Sequence, residues 1–305
     1  MRYEIRSVEG VQESGRLPVK SYRRGLKKKG WIWLKSILVW IFCLVWFSPV
    51  IWMFVTSVKD SLAAVAEKAP TWIPEQATLN NYRMLFAPAS GISVLEGIRN
   101  SIVVAVLSIV ATLVISVPAA YALSRLEFRG KKTIFWAYVA VLAFPGILFL
   151  VPHYFMVHIL GMMDSFSALI VPGLGGTFGV FMLRQYMLGL SRDLEDAAWI
   201  DGCSRLRFMV YVVVPFVRPA LLVLSLMTFI GSWNSFLWPL LVLNSPEKLT
   251  LPIALIRFAA GWGDPYRGIG VLMAGAFVAT LPTIVLFVAF YRYLMEGISM
   301  GSVGK

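Results

Sequence analysis

Cysteine, histidine and intramembrane charge are the scarce commodities of this chain. Its two cysteines, Cys43 and Cys203, lie far apart in 305 residues. They predict neither a disulfide nor a metal-ligand spacing. The two histidines, His153 and His158, are five residues apart and do not share a helical face, so no metal site is expected. No paired carboxylates or nucleophile–base set accompanies them, which argues against a membrane-embedded enzyme. No G-x-x-x-x-G-K-[ST] run occurs, so the chain is expected to bind no nucleotide of its own. Acidic residues are few, 16 against 28 Lys and Arg, for a net charge of +12.

What is abundant is apolar surface. The chain is 58% hydrophobic with a mean hydropathy of +0.75, which excludes an ordinary soluble domain. Six windows free of Asp, Glu, Lys and Arg are long enough to serve as membrane spans: about 36–58, 100–124, 133–163, 165–183, 219–246 and 268–291. The alternation of a barrel strand is missing, so each is expected to be a helix. The fold class is therefore an all-α membrane protein with six transmembrane helices. A secondary transporter usually couples through an intramembrane ionisable group, and these windows contain none.

Lys and Arg divide 21 to seven between the two sides of that arrangement. The richer side holds the arm 1–30, the 125–132 loop, the 184–218 loop and the tail, so these are expected in the cytoplasm with both termini. Most of the net charge lies in the arm, where it sets topology and meets anionic lipid. The run Arg23–Lys29 has no nucleic-acid-binding fold around it, and no nucleic-acid partner is expected. The first apolar run is too long for a cleavable signal.

Several spans carry internal punctuation. Pro145-Gly146 and Pro152 interrupt the third, predicting a bent helix. Gly173, Gly175, Gly176 and Gly179 in the fourth predict close helix packing. The fifth contains Trp233, Asn234 and Trp238. An asparagine in hydrocarbon needs a polar neighbour or a water path, so Asn234 and Trp233 are candidates for a solute path. Between the first two spans, Thr78 reads as a helix N-cap in Thr78-Leu79-Asn80-Asn81-Tyr82.

The densest charge outside the arm falls between the fourth and fifth spans. A short helix through Leu194–Ile200, a turn at Gly202 and a second helix into Pro215 predict a knob on the membrane surface. Ala197 and Ala198 leave a slim face, flanked by Asp196 and Asp201, that suits a groove on another protein.

Leu194-Glu195-Asp196-Ala197-Ala198-Trp199-Ile200-Asp201-Gly202-Cys203-Ser204-Arg205, followed by Val214-Pro215 and Pro219-Ala220, resembles the EAA loop of ABC-importer permeases. Asp196 stands where that family usually has Glu. Ser232-Trp233-Asn234-Ser235-Phe236-Leu237-Trp238-Pro239-Leu240 is similar to the W-N-x-F-x-W-P stretch of the carbohydrate-uptake branch. Thr78–Tyr82, Asn100-Ser101 and Ala120–Arg125 also match, and the resemblance is strongest to the maltose-permease G-type subunit. The tail Glu296–Val303 is similar to the family's ending, although Gly304-Lys305 replaces the usual Lys-Gly.

The resemblance implies a non-catalytic permease of an ATP-driven sugar importer in a bacterial inner membrane. It implies a cytoplasmic helix-turn-helix coupling loop between the fourth and fifth helices. There Glu195, Asp196, Ala197, Ala198, Asp201 and Gly202 would dock on an ATPase. A second permease subunit, two ATP-binding subunits carrying ATP and Mg, and an extracytoplasmic sugar-binding protein complete the implied assembly.

Overall fold

The computed structural model of the chain describes residues 19–60, 71–87, 91–261 and 268–300, with 19–30, 32 and 292–300 described by backbone alone. Every regular element among them is helical, beside one isolated antiparallel pair, Lys59 with Ala77. Two compact units are distinguished, Met1–Trp52 and Met53–Lys305.

Helix α1 runs Val19–Ser57, so helix already occupies part of the expected arm; residues 1–18 lie outside the described residues. In its apolar stretch Trp33, Trp40, Phe42 and Trp46 are all exposed. Such a surface is stable only against lipid or other helices.

In the second unit, α2 (Asn80–Phe86) follows Thr78, whose hydroxyl accepts from the Asn80 N–H at 3.1 Å. The side-chain amide of buried Asn81 donates to the Ser57 and Lys59 carbonyls at 2.8 and 2.6 Å. Helix α3 (Val94–Arg125) starts at Ser93, which accepts from the Glu96 N–H. Its 32 residues extend roughly 48 Å at 1.5 Å per residue. Residues three and four apart, from Gly97 through Val104, Thr112, Ser116 and Ala120 to Ser124, form its buried stripe.

Three bent pairs follow. Helices α4 (Lys131–Leu142) and α5 (Gly146–Ile159) meet at 101°. The break falls at Pro145-Gly146 as expected, whereas Pro152 is accommodated in the early turns of α5. Helices α6 (Phe166–Gly173) and α7 (Thr177–Leu188) meet at 47° across Gly175 and Gly176. Of the four glycines in this stretch, Gly179 is the tightly packed one: a Cβ there would lie 3.0 Å from both Leu224 and Ser116.

Helix α7 continues past the expected end of the span at 183. Arg184 is tolerated within it because its Nε donates to the Leu123 carbonyl at 3.0 Å, with the guanidinium 3.8 Å over the Phe135 ring.

Helix α8 (Arg192–Ile200) is separate. Helices α9 (Arg205–Phe216) and α10 (Arg218–Trp233) then meet at 77°. Pro215 and Pro219, four apart, each lack the N–H of one ladder bond, and a π-helical stretch at Met209–Val213 precedes the bend. The expected span 219–246 is therefore not one helix. It breaks at Asn234–Phe236 and resumes as α11 (Leu237–Val242). Helices α12 (Leu251–Ala260) and α13 (Ile269–Met300) complete the described chain.

Among the described residues, three helices are individually long and apolar enough to cross a membrane, or up to six if each bent pair counts once. Helix α3 is the strut of the bundle, packed on α7, α10 and α12. Near its start, the Asn100 side-chain amide donates to the Glu247 and Leu249 carbonyls, and Ser101 Oγ accepts from the Leu251 N–H. At its other end it carries Arg125.

Candidate functional site: a rooted helical hairpin, a hydroxyl-lined cavity and an acid clasp

Helix α8 is joined to the first turn of α9 by a short turn at residues 201–204. Asp193 and Glu195 in the first turn complement the helix dipole. The helix stops at Gly202, whose φ of +74° is accessible to glycine with little strain. The Cys203 N–H reaches back to the Ala198 carbonyl at 2.9 Å and the Gly202 N–H to Trp199 at 3.1 Å, closing a Schellman-type end. Ser204 then caps α9 by accepting from the Arg207 N–H. Trp199 packs on buried Phe208 with ring centroids 5.4 Å apart, which fixes the angle between the two helices.

The six expected docking residues divide between two faces. Asp196, Ala197, Asp201 and Gly202 are exposed; Glu195 and Ala198 are half-buried and turn towards the protein. The outward face also presents Ile200, 86% exposed, with Leu206 beside the turn at 68%.

Sequence reasoning missed the root of this hairpin. The Arg125 side chain, 5% exposed, contacts the Glu195 carboxylate at 3.4 Å. The same guanidinium donates to the Leu190 carbonyl at 2.6 Å and to the Met187 carbonyl. One cation thus ties the end of α3 to the C-terminal carbonyls of α7 and the first turn of α8. In the sequence Arg125 is one cation of the 125–132 loop and the last residue of the Ala120–Arg125 match; nothing in its local spacing reveals those three acceptors.

Further along α3 lies a cavity of about 240 Å³ between α3, α6, α10 and α11. Ser108, Thr112, Thr228, Ser232 and Ser235 put hydroxyls on its wall, and Trp238 closes one side. The Trp238 indole donates to the Ala168 carbonyl at 2.9 Å and meets the edge of His153. Trp233, by contrast, is 2% exposed, donates to the Ala279 carbonyl at 2.9 Å and stacks on Phe229. Asn234 is exposed at the end of α10, between the cavity residues Ser232 and Ser235.

A third polar cluster joins the loop before α6 to the loop after α11. Asp164, a non-glycine residue at φ +54°, accepts from the Asn244 and Ser245 N–H groups at 2.9 and 3.0 Å, from the Ser245 hydroxyl, and from Lys248 Nζ at 3.1 Å. The Ser245 hydroxyl and the two backbone N–H groups, helped by Lys248, hold this carboxyl well below the usual carboxylate range.

Long apolar helices and bent helix pairs of this composition fit a protein embedded in a membrane. The chain belongs to the family of binding-protein-dependent transport system inner membrane components, whose pattern it matches over residues 28–299. It is 32% identical over 230 residues to the arabinooligosaccharides transport system permease protein AraQ of Halalkalibacterium halodurans, covering 75% of this chain and 81% of that one. It is 30% identical over 272 residues to the trehalose/maltose transport system permease protein MalG of Thermococcus litoralis, covering 88% and 94%. Its fold is similar to a chain of a bacterial ABC transporter that imports the acidic polysaccharide alginate, with a TM-score of 0.75 at 23% identity over 92% of this chain and 99% of that one.

Proposed function

We propose that this chain is the permease subunit of an ATP-driven importer of a sugar or oligosaccharide, with the 192–208 hairpin as its coupling element. The observation that carries the reading is the hairpin itself: an acidic, small-residue face with a bare Ile200, anchored through Arg125 to α3. The bent pairs count as one crossing each, giving six spans with the hairpin and both termini in the cytoplasm. The charge asymmetry along the sequence supports that orientation.

Asp196, Ala197, Asp201 and Gly202 form the surface that enters a cleft on the ATPase, joined by Ile200. Glu195 and Ala198 act from behind, Glu195 by holding Arg125. This subunit pairs with a second permease subunit and two ATP-binding subunits. An extracytoplasmic binding protein delivers the sugar. ATP and Mg reside on the ATPase, and this chain performs no catalysis. Closure of the ATPase pair pulls the hairpin, and Arg125 passes the displacement to α3 and the cavity on its flank. On the solute path, Asn234 sits at the break beside the cavity, while Trp233 supports it by packing.

The test is Ala197→Arg, a substitution on an exposed face that leaves the bundle intact. Membrane insertion is expected to persist. ATPase association is expected to weaken at least about tenfold, the scale of a disrupted interface centre. Normal ATP-driven uptake by this variant would rule out the docking role.

A further inference from the structure

We propose that the cleft between α4 and α7 is a binding site for the headgroup of an anionic phospholipid. The site is separate from any solute path. It needs only that the chain lies in a membrane, as its family does.

The first ground is the cleft and its charge. It has a volume of about 730 Å³, within the range of small-molecule sites. Its wall is formed by the loop that follows α3, the first turns of α4 and Arg184 from α7. Its charged residues are Glu127, Lys131, Lys132 and Arg184, three cations against one acid. Lys131 Nζ answers the Glu127 carboxylate at 3.2 Å. Lys132 and Arg184 are left over. Lys132 is exposed and forms no ion pair among the described residues.

The second ground is the state of Arg184. Its Nε is committed to the Leu123 carbonyl at 3.0 Å, and its plane lies 3.8 Å over the Phe135 ring. Its two terminal nitrogens bond no described residue. The guanidinium is thus fixed in advance with donors to spare, and such a fork matches the oxygens of a phosphate. The start of α4 adds to the field. Gly130 gives it no side-chain cap, so the positive end of its dipole is left for a ligand.

The third ground separates a lipid from a soluble anion. Trp136 lines the cleft and is 63% exposed. Further along α4, Val141 and Leu142 are exposed too. An indole beside lysines at the end of an apolar helix is the composition of a membrane–water interface. A free phosphate would use only the charged end of this surface. A phospholipid uses both, with its headgroup in the cleft and its chains along α4, and basic pockets between spans select anionic headgroups.

The experiment places the whole importer, with its partner subunits, in phosphatidylcholine nanodiscs. The probe is phosphatidylglycerol carrying a photoreactive group on its headgroup. Phosphatidylcholine carrying the same group is the zwitterionic control. Crosslinked peptides are mapped by mass spectrometry. Phosphatidylglycerol is expected to label the segment Glu127–Trp136 and phosphatidylcholine is not. Lys132→Gln, at an exposed position, should weaken the labelling about fivefold, the worth of one cation near an anionic surface. Arg184→Lys keeps the charge but loses the fork and should weaken it in part. Arg129→Gln, in the same loop but outside the cleft, should leave it unchanged. Equal losses from Arg129→Gln and Lys132→Gln would reduce the site to diffuse attraction and overturn it, as would equal labelling by phosphatidylcholine. Displacement of the label by excess inorganic phosphate would overturn the lipid assignment in favour of a soluble anion. ATP-driven uptake, measured on the same nanodisc assembly in vesicles, tests the importer reading separately: its loss would leave the labelling result standing, and normal uptake without labelling would sink the lipid site alone.

Discussion

The Arg125 clamp and the Asp164 clasp are chemical opposites performing similar mechanical jobs. At the clamp, a cation gathers the carbonyls that end α7 and one carboxylate from α8. At the clasp, an anion gathers backbone N–H groups from the loop after α11 and one ammonium. The side chains of the clamp pair are 5% and 15% exposed, those of the clasp pair 25% and 41%. Water can replace lost partners at the clasp far more readily than at the clamp. The difference teaches that ion pairs of similar composition carry unequal weight, and that burial decides which one the fold depends on more.

The largest expected effect is at the clamp. Arg125→Ala leaves the Glu195 carboxylate and two carbonyls without their partner in a buried setting, a loss of about 3–5 kcal/mol. Thermal unfolding of the solubilised assembly and ATP-driven uptake should both report it, and Arg125→Lys should recover only part, because an ammonium lacks the planar fork that reaches several acceptors. At the clasp, Asp164→Ala should destabilise by about 1–3 kcal/mol in the same unfolding measurement. An Asp164→Ala loss equal to that of Arg125→Ala would break the comparison.

The smallest effect is the pH response of the clasp. Its folded carboxyl titrates below the ordinary value of 3.8. The stabilisation is therefore complete above that value and fades as pH falls beneath it. The difference in unfolding midpoint between the native chain and Asp164→Asn should stay constant from about pH 8 to about pH 5 and narrow below about pH 4. A difference that instead changes near neutrality would mean another group controls the clasp.

Some of the site was legible in the residues and some was not. The hairpin was, because Gly202 and the acid-alanine helix before it are local signals. The bend at Pro145-Gly146 was also visible, since proline interrupts the helical ladder; the glycines of the fourth window pointed to close packing, which Gly179 shows, and not to the 47° bend across Gly175 and Gly176. The extension of α7 through Arg184 was not, because a charge ends an apolar window unless a distant carbonyl and ring receive it. Trp233 and Asn234 drew attention as polar or aromatic residues in an apolar run. In the fold, Trp233 is committed to packing, and the cavity is lined by neighbouring serines and threonines that looked unremarkable in sequence.

Composition and apolar periodicity alone determined that this chain would be a bundle of membrane-crossing helices with a polar hairpin between two of them. Those properties depend on transfer from water to hydrocarbon, which each segment expresses independently of the others. Only the tertiary structure decided that Arg125 would root the hairpin and that Asp164 would gather the loop after α11. Each depends on groups tens of residues apart in the chain, and the energy of a buried polar atom is set by what the fold places beside it.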